Sequence, residues 1–132
     1  MQIRRLALGA LLSAWVLSPA LAGDAVPAAA QDLSGTYTVK GSDPKGTASY
    51  EGEVAVSKLG DTYRVAWALE DHRAVGTGIL VEKTFAVTFI SQGMPVPGIA
   101  VFDIGSSGEL TGRFTLLGAK DVGLETWTPQ TH

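Results

Sequence analysis

Apolar and polar residues alternate along most of the chain from Leu33 onward, and turn-forming residues recur between the alternating segments. In TYRVAW at 62–67, for example, Tyr63, Val65 and Trp67 share one face. Period-two alternation is typical of half-buried β-strands, and no helical periodicity accompanies it. The pattern predicts eight strands, at about 34–41, 47–57, 62–70, 73–81, 84–90, 98–104, 109–117 and 122–128.

The links between these strands are short, which constrains the topology. DPKG at 43–46, EDH at 70–72 and GSSG at 105–108 are typical turn sequences. Short links force antiparallel neighbours, because a parallel pair needs a crossover of a dozen or more residues. Eight such strands can bury their apolar sides by closing into a barrel or by folding into a sandwich. We predict an all-β fold, a single eight-stranded antiparallel up-and-down β-barrel spanning 33–129.

One hairpin predicts a register. If Leu59-Gly60 is a two-residue turn, Gly52 lies opposite Trp67. A glycine in a strand leaves room for a large ring and lets the strand coil where a sheet curves into a barrel.

The segment SQGMPVPG at 91–98 predicts the one longer loop, at a barrel mouth. Met94 and Val96 are apolar, and the two prolines limit the entropy lost on ordering. We interpret the loop as a lid or partner-contact lip, or alternatively as a plain connector.

The N-terminal residues have the features of an export signal. Arg4 and Arg5 precede a short apolar run, and Ala20-Leu21-Ala22 fits a cleavage site. We therefore predict a cleavable signal peptide at 1–22, with a retained membrane anchor as the alternative, followed by a flexible lead-in at 23–32. The expected location of the mature protein is the periplasm or the medium.

Composition narrows the classes of function. Removing the signal takes away two of the ten basic residues and none of the thirteen acidic ones, which leaves a formal net charge of −5. Such a surface disfavours nucleic acid and anionic membrane as partners, and we expect no membrane insertion after cleavage. The absence of cysteine excludes disulfides and thiolate metal sites.

The aromatic residues are the main candidates for a binding site. They are spread over seven predicted strands, and many point to one side of the sheet, which in a barrel is the interior. They either fill the core or line a cavity for one small apolar or flat ligand. With the two loop residues, the candidate ligand-binding set is Tyr37, Tyr50, Tyr63, Trp67, Met94, Val96, Phe102 and Trp127.

No motif predicts catalysis, a metal or a cofactor. His72 lies in a polar hairpin tip, beside Glu70 and Asp71, where a dedicated metal site is not expected. AVGTGIL at 74–80 lacks the helix and the G-K-[ST] of a phosphate loop. Glu125 is expected to form an ion pair with Arg113 across the last hairpin.

Several segments resemble known families. SGTY at 34–37, GDTYRVAW at 60–67, LTGRF at 110–114 and VGLETWTP at 122–129 resemble small exported proteobacterial proteins loosely labelled fibronectin-binding protein. That resemblance covers nearly the whole mature chain and implies an avidin- or lipocalin-like barrel. LSGTY at 33–37 and TYRVAW at 62–67 are similar to pieces of avidins, but in a different order, so we do not expect biotin binding.

These observations predict a non-enzymatic exported binding protein of the bacterial envelope. It would hold a small apolar or flat ligand, or a protein partner, through a barrel mouth and the 91–98 loop. One alternative is a fibronectin- or matrix-binding surface adhesion module. Another is a barrel-type enzyme with an interior carboxylate, for which Glu125, Arg113 and Asp103 are the candidates.

Overall fold

The alternating segments form β-strands in the computed structural model, which describes residues 31–131. The predicted signal peptide, and the lead-in before Gln31, lie outside the described residues. The strands are β1 (Gly35–Ser42), β2 (Ser49–Leu59), β3 (Thr62–Leu69), β4 (Arg73–Val81), β5 (Thr84–Ser91), β6 (Met94–Ile104), β7 (Leu110–Leu116) and β8 (Gly123–Pro129). No helix within 31–131 is long and apolar enough to cross a membrane.

The eight strands form a closed antiparallel barrel in sequence order. Each strand pairs with the next, and β1 also pairs with β8, where Val39 lies opposite Trp127. The barrel prediction is therefore confirmed, and the sandwich alternative is excluded. Closure follows from a sheet that has one apolar face and no helix to cover it.

The register predicted for the β2–β3 hairpin is wrong by two residues. The turn is Gly60-Asp61 rather than Leu59-Gly60, so Leu69 and not Trp67 lies opposite Gly52. Gly60 has a φ of 60°, which suits glycine at the first central position of a type II′ turn. A shift of two residues keeps every side chain on its predicted face.

Aromatic rings do cover strand glycines, but at other positions. The ring of Phe89 fills the space that a side chain at Gly98 would need, and Phe102 does the same at Gly112. These are directly opposed cross-strand pairs. The contact therefore depends on the actual register, in which Leu69 rather than Trp67 lies beside Gly52.

The longer loop predicted at 91–98 is also wrong. β6 already begins at Met94, and only Gln92-Gly93 connects it to β5. The pairing shifts between Ile90 and Ser91, which marks a β-bulge beside Pro97. A bulge accommodates residues that cannot donate to the ladder, so the prolines belong to an irregular strand end rather than to a lid.

The barrel interior has a filled end. Phe85 and Phe102 are fully buried there, and the Tyr37 hydroxyl donates to the Leu33 carbonyl oxygen at 2.7 Å. Leu33 itself is buried, so the segment before β1 closes this end. The opposite end, where the β1–β2, β3–β4 and β5–β6 turns lie, remains open.

Candidate ligand-binding site

A cavity of about 610 Å³ opens at the unfilled end of the barrel. Its wall includes Tyr50, Trp67, Phe89 and Phe114, and Glu125 reaches it from β8. The turns around the opening contribute polar side chains to its rim. We call this space the barrel cavity; its volume is in the range of small-molecule sites.

Small inward-facing residues create the barrel cavity. Ala74 on β4 and Ala100 on β6 point inward and line it. Further along the inner face of the barrel, Phe85 on β5 and Phe102 on β6 fill the interior. The interior is therefore tapered: large rings close one half, and alanines leave room in the other.

Glu125 is the single buried charged residue among residues 31–131. Its Oε1 accepts hydrogen bonds from the indole nitrogens of Trp67 at 2.8 Å and Trp127 at 2.6 Å. Its Oε2 accepts a hydrogen bond from the Tyr50 hydroxyl at 2.5 Å. Three neutral donors on three strands thus hold one carboxylate at the inner end of the cavity.

The electrostatics of this group make the Tyr50 hydroxyl a hydrogen-bond donor to Glu125. Burial raises the pKa of the Tyr50 hydroxyl well above its ordinary value, and the negative charge of Glu125 raises it further. Tyr50 therefore stays protonated and donates. Within the described residues, no Lys, Arg or His nitrogen lies within 4.0 Å of the Glu125 oxygens. Among these residues, the contacts that hold the carboxylate are hydrogen bonds from three neutral donors.

Acidic side chains mark the rim of the cavity. Asp43 accepts hydrogen bonds from the Thr47 hydroxyl and the Ala48 amide, and these contacts lower its pKa, with Thr47 as the largest cause. On the next turn, Asp71 contacts His72 at 2.6 Å, which lowers the pKa of Asp71. Both carboxylates are therefore ionised at neutral pH.

The predicted binding residues divide between the two halves of the barrel. Tyr50, Trp67 and Met94 line the barrel cavity. Trp127 is fully buried beneath it and donates to Glu125. The remaining four lie away from the cavity lining: Tyr37, Tyr63 and Phe102 in the buried core, and Val96 half-buried on β6.

The sequence list missed Phe89, Phe114 and the two alanines. All four occupy inward positions of the period-two pattern. Small residues at inward positions, on strands that also carry buried rings, leave space in the interior, and this was the sequence signal for a cavity. Selecting residues because they are aromatic favours rings that fill the core over the residues that border the cavity.

The predicted ion pair between Glu125 and Arg113 does not form. Gly112 lies opposite Glu125, and Arg113 lies opposite Leu124, with its side chain on the exposed outer face. Asp103 is likewise exposed. Of the three residues considered for an enzyme, Glu125 alone lies in the interior.

The outside of the barrel carries an apolar face on β4, β5 and β6. Its exposed members are between 43% and 52% accessible. Val75 pairs with Ile90, and Thr88 pairs with Ile99, so these side chains are cross-strand neighbours. The set that we call the outer apolar face is Val75, Ile79, Ile90, Ile99 and Val101.

The described residues contain no group of three or more His, Asp or Glu side chains placed to hold a metal ion. In comparisons with known proteins, the chain matches no family model and no curated protein sequence.

Proposed function

We propose that this protein is a non-enzymatic binding protein that holds one small apolar or flat ligand in the barrel cavity. The observation that carries the proposal is an open, aromatic-walled space beside a filled core. The rings of Trp67 and Phe89 lie with centroids 5.6 Å apart, and those of Phe89 and Phe114 lie 6.5 Å apart. These rings offer a flat apolar body contact on more than one side.

The rigidity of the barrel supports ligand binding, because a rigid wall does not collapse inward to fill the barrel cavity. The barrel is closed by hydrogen bonds on every strand, and Trp67 and Glu125 are fixed by their mutual bond. A preorganised wall loses little side-chain entropy when a ligand enters. The N-terminal leader pattern supports export, which would place the protein in the periplasm or the medium.

Native mass spectrometry of the protein purified without denaturation from the cells that make it tests this proposal. We expect a stoichiometric small-molecule adduct. Ala100→Leu adds bulk at an inward position that lines the cavity and should abolish the adduct. Val101→Leu changes the neighbouring outward residue and should leave it intact.

Thermal unfolding of both variants checks that each is folded. An adduct that persists in a folded Ala100→Leu protein would contradict binding in the barrel cavity. A clean apo mass, together with no binding of small aromatic compounds at millimolar concentration, would also refute it.

The outer apolar face favours a second candidate, adhesion to a protein partner such as fibronectin. Apolar residues that are cross-strand neighbours and half exposed are typical of contact surfaces. Binding of the protein to immobilised fibronectin, compared with the Ile90→Lys and Ile99→Lys variants, tests it. Binding that both variants retain unchanged would contradict a role for this face.

A further inference from the structure

The charge of the barrel cavity is one-sided. Among the described residues that line it, Asp43, Glu70, Asp71 and Glu125 are acidic, and none is Lys or Arg. His72, the one lining residue that could become cationic, already contacts Asp71. A cleft lined by one sign of charge raises the local concentration of ions of the opposite sign.

Glu125 gives this charge a specific position. Glu125 is only 7% exposed, and its hydrogen-bond donors within residues 31–131 are all neutral. A buried charge that lacks a counter-ion is destabilised by the loss of hydration, and an entering cation would compensate for it.

Glu125 also has capacity to accept another hydrogen bond. A carboxylate can accept about four hydrogen bonds, two on each oxygen. In the part of the chain that the structure describes, Oε1 accepts from two indoles, whereas Oε2 accepts only from Tyr50. One acceptor position on Oε2 is therefore available at the inner end of the cavity.

The walls complete a site for an organic cation. Aromatic faces attract ammonium groups through their quadrupoles, and Trp provides the strongest such contact. Trp67 lines the cavity and is bonded to the same carboxylate. A metal ion fits less well, because the described residues contain no cluster of three or more ligands.

We propose that the ligand of the barrel cavity is an organic monocation, an amine whose ammonium group hydrogen-bonds to Glu125 and lies against the Trp67 ring. Its apolar or flat body extends toward the mouth, along the cavity wall formed by Phe89 and Phe114. This inference rests on the proposed binding function and specifies the charge of the ligand.

Three probes that share a phenyl ring and differ in their terminal group test the charge. They are 2-phenylethylammonium, 2-phenylethanol and 3-phenylpropionate, and isothermal titration calorimetry at fixed ionic strength measures each affinity. We expect the amine to bind at least about ten-fold more tightly than the alcohol, because hydrogen bonds to charged groups are the stronger ones. The acid should bind most weakly.

Glu125→Gln keeps the size of the side chain and removes its charge. In this variant the preference for the amine over the alcohol should fall to about three-fold or less, with the alcohol affinity little changed. Glu51→Gln removes an exposed charge on the outer face of β2, away from the cavity lining, and serves as the matched control. It should lower the amine affinity by no more than about three-fold, because exposed charges are well screened.

The outcomes separate the two proposals. If the wild-type protein binds alcohol and amine equally, or the acid most tightly, the inferred charge is refuted while cavity binding stands. Full amine preference in a folded Glu125→Gln protein also refutes the role of Glu125. If no probe binds at millimolar concentration, both proposals are contradicted. The wild-type series decides the charge of the ligand even if Glu125→Gln does not fold.

Discussion

Replacing Glu125 with leucine should destabilise the protein far more than replacing it with glutamine. Leucine offers no acceptor, so the indole N–H groups of Trp67 and Trp127 would lose their shared partner. Both rings are buried, at 5% and 0% exposure, so water cannot readily replace the carboxylate. Glutamine keeps one oxygen that can accept from both indoles, as Oε1 does now.

The expected loss of stability follows from the number of buried donors that lose their acceptor. An unsatisfied buried donor costs about 1–3 kcal/mol, so two of them cost about 2–6 kcal/mol. The Tyr50 hydroxyl borders the barrel cavity, where water can solvate it, so we leave it out of this figure. Removing the buried charge offsets part of the cost in both variants. Because this offset is common to the two variants it cancels in their difference, and we expect Glu125→Leu to be less stable than Glu125→Gln by about 2–6 kcal/mol.

Equilibrium urea unfolding followed by far-UV circular dichroism measures this difference. A double-mutant cycle adds Trp67→Phe, which removes one donor. In the Glu125→Leu background this second substitution should cost less than in the wild-type protein, since the donor is already orphaned. Equal stability of the leucine and glutamine variants, within about 0.5 kcal/mol, would refute the assigned hydrogen bonds.

Three further predictions follow from the packing and the ionisation of the described residues. Gly112→Ala should lower the free energy of unfolding by about 1–3 kcal/mol, because the new Cβ would lie 2.4 Å from the Phe102 ring. Leu33→Ala should cost about 2–5 kcal/mol by opening the filled end, where Leu33 is 3% exposed. Burial raises the pKa of Tyr37 and of Tyr50 above 10.0, so as pH rises past 10 the unfolded chain releases protons first. The free energy of unfolding should then fall by up to about 1.4 kcal/mol per pH unit for each tyrosine, in urea titrations between pH 9 and 11.

Each of these has its own control. Thr111→Ala, an exposed change beside Gly112, should be nearly neutral, and an equal loss there would contradict the steric explanation. Leu59→Ala, an exposed leucine, serves the same purpose for Leu33. For the alkaline effect, Tyr50→Phe should reduce the slope above pH 10, and an unchanged slope would show that Tyr50 ionises normally.

The strand pattern was largely predictable because period two is a local property. All eight strands and their antiparallel order follow from alternation and from links too short for crossovers. The incorrect predictions lie at β-turns and at proline, where a displacement of one residue changes the pairing register of the strands. The sequence pattern predicts the turn at Leu59-Gly60, one position before the observed Gly60-Asp61, and it predicts Pro97 in a loop, whereas Pro97 lies in a bulged strand.

The candidate site was less predictable, because its members are distant along the chain. Glu125 has bonding partners 75 and 58 residues away, at Tyr50 and Trp67. The aromatic residues in the sequence indicated an interior, but they did not separate the rings that fill it from those that border the void.

Alternation and turn residues were enough to specify an all-β chain with one apolar face, since both act over a few residues. Which inward residues meet could be seen only in the folded barrel, since that depends on the register summed around eight strands. That register places Arg113 outside and Glu125 inside among three donors. It also gathers Ala74 and Ala100 at one end, so that the barrel remains open beside its buried carboxylate.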